Sequence, residues 1–254
     1  MSEKPQFNVV DPWSLINEVG SLDYFHPHPA LPEENEVALP HRVIRGGPDT
    51  RLVLVLGTNA SGKSFWRRLA QAVCSLTTPK IEVIRTSMED RSPQSQLLPV
   101  ARALIYGSEE WESTGGISAH TTHAGLNTCM NRSSSNIFIL DEPDLGCGEE
   151  VALGIGQELA TRIPLLPPTT RAVVITSHSR VLLRELVPLQ PHLVWMGSDA
   201  GDSLEGWFTR AITPTSPDGL SSKGTETLRK VTRVREWRAS EPRESGDSPV
   251  PDVA

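Results

Sequence analysis

Leu52-Val53-Leu54-Val55-Leu56-Gly57-Thr58-Asn59-Ala60-Ser61-Gly62-Lys63-Ser64 decides how the rest of the chain is read. Five consecutive aliphatic residues predict a strand buried on both faces. The strand ends on the first glycine of G-x-x-x-x-G-K-S, the pattern of a loop whose backbone N–H groups enclose phosphate oxygens. Phe65, Trp66, Leu69, Ala70 and Val73 follow at helical spacing, so the loop opens a helix over 63–76 whose positive end faces the same anion. Gly57, Thr58, Asn59, Ala60, Ser61, Gly62, Lys63, Ser64 and Phe65 are the candidate nucleotide-binding residues. Lys63 is placed to reach the β- and γ-phosphates, and the Ser64 hydroxyl to ligate Mg²⁺.

The rest of the chain alternates. Strands are expected at 81–84, 137–140, 172–175 and 193–196, with helices near 117–130, 149–163 and 179–187. A strand at 206–209 would close the sheet, and 37–45 would supply an edge strand, with Pro40 keeping it at the edge. Strands alternating with helices predict an α/β fold with a mostly parallel sheet flanked by helices. Composition bounds the remainder. The 254 residues carry a net charge of −7, only 37% hydrophobic residues and 21 prolines. That suits one core with irregular ends: an arm over 1–36, a domain over 37–210, and a tail over 211–254 carrying one helix at 225–239. The negative charge opposes nucleic-acid binding by bulk attraction. Cys74, Cys129 and Cys147 form no C-x-x-C pair, so a reducing cytoplasm is expected. No apolar run reaches the length of a membrane span.

Three further motifs carry chemistry. Strand 137–140 runs into Asp141-Glu142, where Asp141 would hold Mg²⁺ and Glu142 would polarise an attacking water. The competing reading is a pair of acids opening a helix. Strand 172–175 runs into Thr176-Ser177-His178, where His178 would hydrogen-bond a γ-phosphate or the water; the competing reading is a histidine capping the next helix. Between the phosphate loop and both of these, Ser113-Thr114-Gly115-Gly116 precedes a helix and forms a second anion-binding corner.

Phosphate loop, Thr-Gly-Gly corner, Asp-Glu and His, in that order, resemble the motifs of an ABC-type ATPase. Thr114-Gly115-Gly116 is similar to that superfamily's signature, Glu142 to its catalytic glutamate, His178 to its switch histidine, and Asp144-Leu145-Gly146-Cys147-Gly148-Glu149 stands at its D-loop. The resemblance implies a P-loop NTPase fold with a small helical insert over 87–116. It implies ATP and Mg²⁺ as ligands, and a homodimer in which the signature of one copy closes over ATP held by the other. The chain departs from the family in lacking a clear glutamine loop, with Gln94 and Gln96 the nearest candidates. It also has Ser113 and Ile117 where Leu and Gln are usual. No heptad array is present, which excludes long coiled-coil arms. Asp-Glu-Pro-Asp-Leu-Gly and Thr-Ser-His-Ser are closer to soluble ATPases of the RecF, MutS and phage-encoded kind, which implies DNA repair, replication or defence and a nucleic-acid or nuclease partner.

Two alternatives stay open: a P-loop phosphotransferase, and a nucleotide-gated binding module with negligible turnover. His120 and His123 share a helix face but lack a third metal ligand. Lys223, Arg229, Lys230, Arg233, Arg235 and Arg238, against Glu226 and Glu236, make the expected helix at 225–239 basic. That helix is read either as a nucleic-acid contact or as a solvated helix packed through Leu228, Val231 and Val234.

Overall fold

The computed structural model describes residues 7–26, 39, 41–87, 113–197, 203–211 and 214–240. Strand β2 (Leu52–Leu56) is buried along its whole length. It belongs to a six-stranded sheet of order β1-β6-β2-β5-β4-β3, with β1 at His41–Ile44, β3 at Glu82–Ser87, β4 at Asn136–Asp141, β5 at Thr170–Thr176 and β6 at His192–Met196. The pairs β2–β5, β5–β4 and β4–β3 are parallel. The order reverses after β2: the chain runs out to β3, returns through β4 and inserts β5 beside β2. In open α/β sheets such a reversal marks the ligand-binding edge, at the carboxyl ends of the strands.

Register fixes what stands at that edge. Val55 pairs with Thr176, Thr176 with Asp141, and Asp141 with Ser87. These four residues form one row across four parallel strands. Strand β3 was expected to stop at 84. It continues to Ser87 because Arg85, Thr86 and Ser87 keep pairing with Ile139, Leu140 and Asp141.

The chain divides into two compact units. One comprises residues 44–56 and 81–193. In it α3 (Thr114–Met130) packs on β3 and β4, and α4 (Glu149–Arg162) packs on α3 and on α5 (Arg180–Leu186). The core is aliphatic, with Phe138 fully buried. A Cβ at Gly125 of α3 would lie 2.4 Å from the Phe138 ring, so a glycine is what lets the helix lie close to the sheet.

The other unit comprises residues 1–43, 57–80 and 194–254. Its centre is α2 (Lys63–Ser75), which buries Trp66, Leu69, Ala70 and Val73. Helix α1 (Pro12–Gly20) packs on α2 and buries Leu15, Ile16 and Val19; Asp11 and Ser14 close a reciprocal cap at its start. A 3-10 turn at Asp23–Phe25 follows.

Two expectations need correction. The segment 206–209 is not a strand. It lies in helix α6 (Leu204–Thr209), whose Ser203 side chain accepts from the Gly206 N–H at 3.1 Å. Four residues with two adjacent aromatics do not distinguish the two periods, and the cap decides. The basic helix is longer than 225–239: α7 spans Pro217–Ser240. Ser216 accepts from the Gly219 N–H at 3.1 Å and Pro217 takes the first helical position. Gly219, Ser221, Ser222 and Gly224 are weak helix formers, and they hid its first two turns. The expected insert over 87–116, with Gln94 and Gln96, falls mostly outside the described residues. The tail beyond 240 does so entirely. Among the described residues, no helix is long and apolar enough to cross a membrane.

Candidate functional site

The chain leaves β2 at Leu56 and enters the loop directly. Gly57, Ala60 and Gly62 have φ of 147°, 61° and 99°. Glycine is needed at the first and last positions: a Cβ on Gly57 would lie 2.3 Å from the Met196 carbonyl and 2.5 Å from Ser61 Oγ. Ala60 holds its left-handed conformation at a cost of about 1 kcal/mol. Lys63 is buried and folds back, its Nζ donating to the carbonyls of Gly57 at 3.1 Å and Thr58 at 2.8 Å. Gly62 is the N-cap of α2 and provides no side-chain cap. Ser64 is exposed at the helix start. Phe65 turns its ring edge-on to Tyr24, centroids 4.9 Å apart. Ser61 Oγ is buried without a hydrogen-bond partner among the described residues. A turn with an orphaned hydroxyl, an ammonium and a helix start lacking a side-chain cap fits a polyphosphate. The reading of 57–62 as an ordinary glycine turn does not account for these features.

In the other unit, Asp141 is the last residue of β4. Its two oxygens accept separate hydroxyl hydrogens, one from Thr176 and one from Ser87 at 3.1 Å. The carboxylate is thereby held in one plane. Glu142 turns out of the strand at φ 52°, and its N–H donates to the Thr176 carbonyl at 2.9 Å. A left-handed glutamate is strained, and such strain persists only where the surroundings hold it. Its Oε1 lies 3.4 Å from His178 Nε2, both side chains about one-third exposed. The next helix, α4, begins only at Glu149, so the acids are not a helix start. Nor does His178 cap α5: Ser179 does, accepting from the Leu182 N–H at 3.2 Å.

Beyond them, Ser177 donates to Asp144 Oδ1 at 2.7 Å. Burial pushes the Asp144 carboxyl above its ordinary value, the Ser177 hydrogen bond works against that rise, and nearby Glu142 adds to it. Ser177, Thr176 and Ser87 were not singled out as site residues in the sequence, and Asp144 was named only within the segment resembling a D-loop. Thr176 and Ser177 lay beside His178 in the motif and carried that signal. Ser87 carried none, because its role depends on the β3–β4 register.

Thr114, Gly115 and Gly116 form the first turn of α3. Thr114 and Gly116 are exposed and Gly115 is buried. Ser113 is the N-cap, and its hydroxyl accepts from the Gly116 N–H at 3.2 Å. Thr114 packs on Gly146, and Gly115 faces Val151 and Cys147, so the corner rests on the Asp144–Glu149 segment of the same unit. Of the nucleotide-binding, metal and catalytic candidates, residues 57–65 lie in the unit of residues 1–43, 57–80 and 194–254, whereas residues 114–116, Asp141, Glu142 and His178 lie in the unit of residues 44–56 and 81–193. His123 pairs with Glu158 at 2.7 Å, and His120 is exposed.

No protein-family model matches the sequence, and no curated protein matches it. Among solved structures, the chain is similar to Cdc6p from Pyrobaculum aerophilum at 15% identity and a TM-score of 0.28. The likeness covers 70% of this chain and 43% of that one, so the chain spans less than half of that structure's length. So loose a superposition carries no assignment.

Proposed function

We propose that this protein is an ATPase of the soluble ABC type, converting ATP to ADP and phosphate as an ATP-dependent homodimer. The observation that carries the reading is the Glu142–His178 pair, 3.4 Å apart. It sits just past a row in which Val55, Thr176 and Asp141 are abreast, two residues before the loop begins. In this reading the N–H end of α2, Ser61 and Lys63 bind the triphosphate. Ser64 and Asp141 would hold Mg²⁺, which when bound supplies charge neutralisation at the β- and γ-oxygens. Glu142 takes a proton from the attacking water as its oxygen bonds to the γ-phosphorus and the bond to the β-phosphate oxygen breaks. His178 orients Glu142 or donates to a γ-phosphate oxygen.

The homodimer rests on the resemblance of residues 114–116 to the ABC signature, and the exposure of Thr114 and Gly116 supports it. A role in DNA repair, replication or defence rests on the resemblance alone. The exposed Lys223 and Arg229 of α7 are the side chains that would meet nucleic acid or a nuclease partner.

Glu142→Gln tests the core of the proposal. With Mg²⁺ and no added phosphate acceptor, the wild-type protein is expected to release phosphate. The variant should lose turnover by about 10²–10⁴-fold, retain ATP, and accumulate as an ATP-bound dimer in light scattering. Undiminished phosphate release from the variant contradicts the role of Glu142. ATP consumption that appears only when an acceptor is added would instead favour a phosphotransferase.

A further inference from the structure

Helix α7 lies against the phosphate loop within the same unit. Thr227 Oγ1 donates to the Ala60 carbonyl at 2.8 Å. A Cβ built on Gly224 would come 3.8 Å from the Ala60 Cβ, and the Thr227 methyl lies 3.7 Å from where a Gly62 Cβ would stand. The helix therefore meets the loop at two of its three positive-φ positions, Ala60 and Gly62. Further along, Val231 and Val234 are buried, and Arg238 donates from both Nε and Nη2 to a single oxygen, Oδ2, of Asp23. The residue after Asp23 is Tyr24, whose ring packs edge-on against Phe65 in the first turn of α2. One helix thus reaches the loop directly through Thr227, and reaches the start of α2 through Arg238, Asp23 and Tyr24.

Ala60 is the loop's one non-glycine residue at positive φ. A peptide plane next to a left-handed residue can rotate, and rotation exchanges the N–H and the C=O that the loop turns toward an anion. An inward carbonyl repels phosphate oxygens. The hydrogen bond from Thr227 holds the Ala60 carbonyl on the α7 side.

We propose that α7 is a built-in buttress of the phosphate loop, and that Thr227 is a positioning residue that sets nucleotide affinity by holding the Ala60 carbonyl away from the phosphates. The proposal rests on the reading of residues 57–64 as the triphosphate site. It makes the carboxyl-terminal helix, rather than the loop alone, the determinant of how tightly that site binds.

The test uses the full chain, with Mg²⁺-ATP binding measured by calorimetry and loop amides followed by hydrogen exchange. Thr227→Val should weaken ATP binding roughly three- to tenfold, the value of one lost neutral hydrogen bond. Thr227→Ser, which keeps the hydroxyl, should restore it, and the ligand-free Thr227→Val protein should melt lower by no more than the few degrees that one hydrogen bond is worth. Wild-type affinity in Thr227→Val overturns the proposal. Should that variant not fold, Arg238→Ala removes the far anchor instead. It should weaken binding in the same direction, with the exchanged pair Asp23→Arg/Arg238→Asp recovering it. Unchanged affinity in Arg238→Ala then overturns the proposal. Lys63→Ala separates the two readings. If it removes most binding while Thr227→Val does not alter it, the site stands and the buttress falls. If the wild-type protein binds no ATP, the site reading falls. Faster exchange of amides 57–64 in Thr227→Val then still supports the buttress, and unchanged exchange refutes it.

Discussion

Two helices of this protein start within a glycine- and hydroxyl-rich stretch of sequence, and they begin differently. Helix α2 starts from Gly62 at φ 99°, and no side chain caps it. Helix α3 starts from Ser113 in extended conformation, and the Ser113 hydroxyl takes up the Gly116 N–H. Both present the positive end of a helix. At α3 a side-chain oxygen from the chain itself satisfies part of that end. At α2 the comparable position is a glycine, an orphaned Ser61 hydroxyl lies within the turn, and a lysine is folded over it. In the proposed reading the capped start is a structural joint, and the uncapped one, with an ammonium and an orphaned hydroxyl beside it, receives the anion. The two halves of the Thr-Gly-Gly and G-x-x-x-x-G-K-S pattern are therefore not two equivalent phosphate sites. In the proposed dimer the α3 turn closes a site that another copy of α2 has built.

Lys63→Ala is the most severe way to break this comparison. Removing a hydrogen-bonding charge from the receptor should weaken ATP binding by about 10- to 100-fold. Calorimetry on the same preparation of Ser113→Ala gives the contrast. That change should cost about 1 kcal/mol of stability and lower the melting temperature by roughly 2–4 °C, with ATP affinity as in the wild type. Equal losses of affinity in the two variants would mean that the helix starts do not differ as described.

The smallest effect sharpens the contrast between the receptor and the acidic edge. Burial raises the Asp144 carboxyl, so the folded chain binds that proton more tightly than the unfolded chain does. Its contribution to stability is largest below the ordinary carboxylate value and falls as pH rises through its folded value. Asp144→Asn keeps an acceptor for Ser177 and removes the buried charge. Thermal melts at pH 7 should show the variant higher by roughly 2 °C, with the gap closing below about pH 4. A variant that melts lower at pH 7, or a gap that widens in acid, would show that the charge at 144 is stabilising.

Much of the sheet was legible because its strands are continuous apolar runs bounded by turn residues. Strands 52–56, 137–140, 172–175 and 193–196 were each found within about two residues at either end. Two kinds of element were not. The 206–209 segment was too short for its period to show. The start of α7 was masked by Gly and Ser, although Ser216-Pro217 is a helix-opening pair. At the acidic edge, Glu142 and His178 were legible as the residues that follow buried strands. Their proximity was not, and neither was the hydroxyl support from Ser87 and Thr176.

What the sequence by itself determined was local. A glycine is favoured where φ must be positive, as at Gly62, and demanded where a Cβ also has no room, as at Gly57. Aliphatic runs can be buried only in a covered sheet. Both constraints are written within a few neighbouring residues. Only the tertiary structure decided that β5 lies between β2 and β4, that Ser87 stands beside Asp141, and that Thr227 reaches back to Ala60. These depend on which distant segments bury one another's surface, and hydrophobic burial is non-directional. It says that a strand or helix must be covered, and leaves the choice of neighbour to the packing of the whole chain.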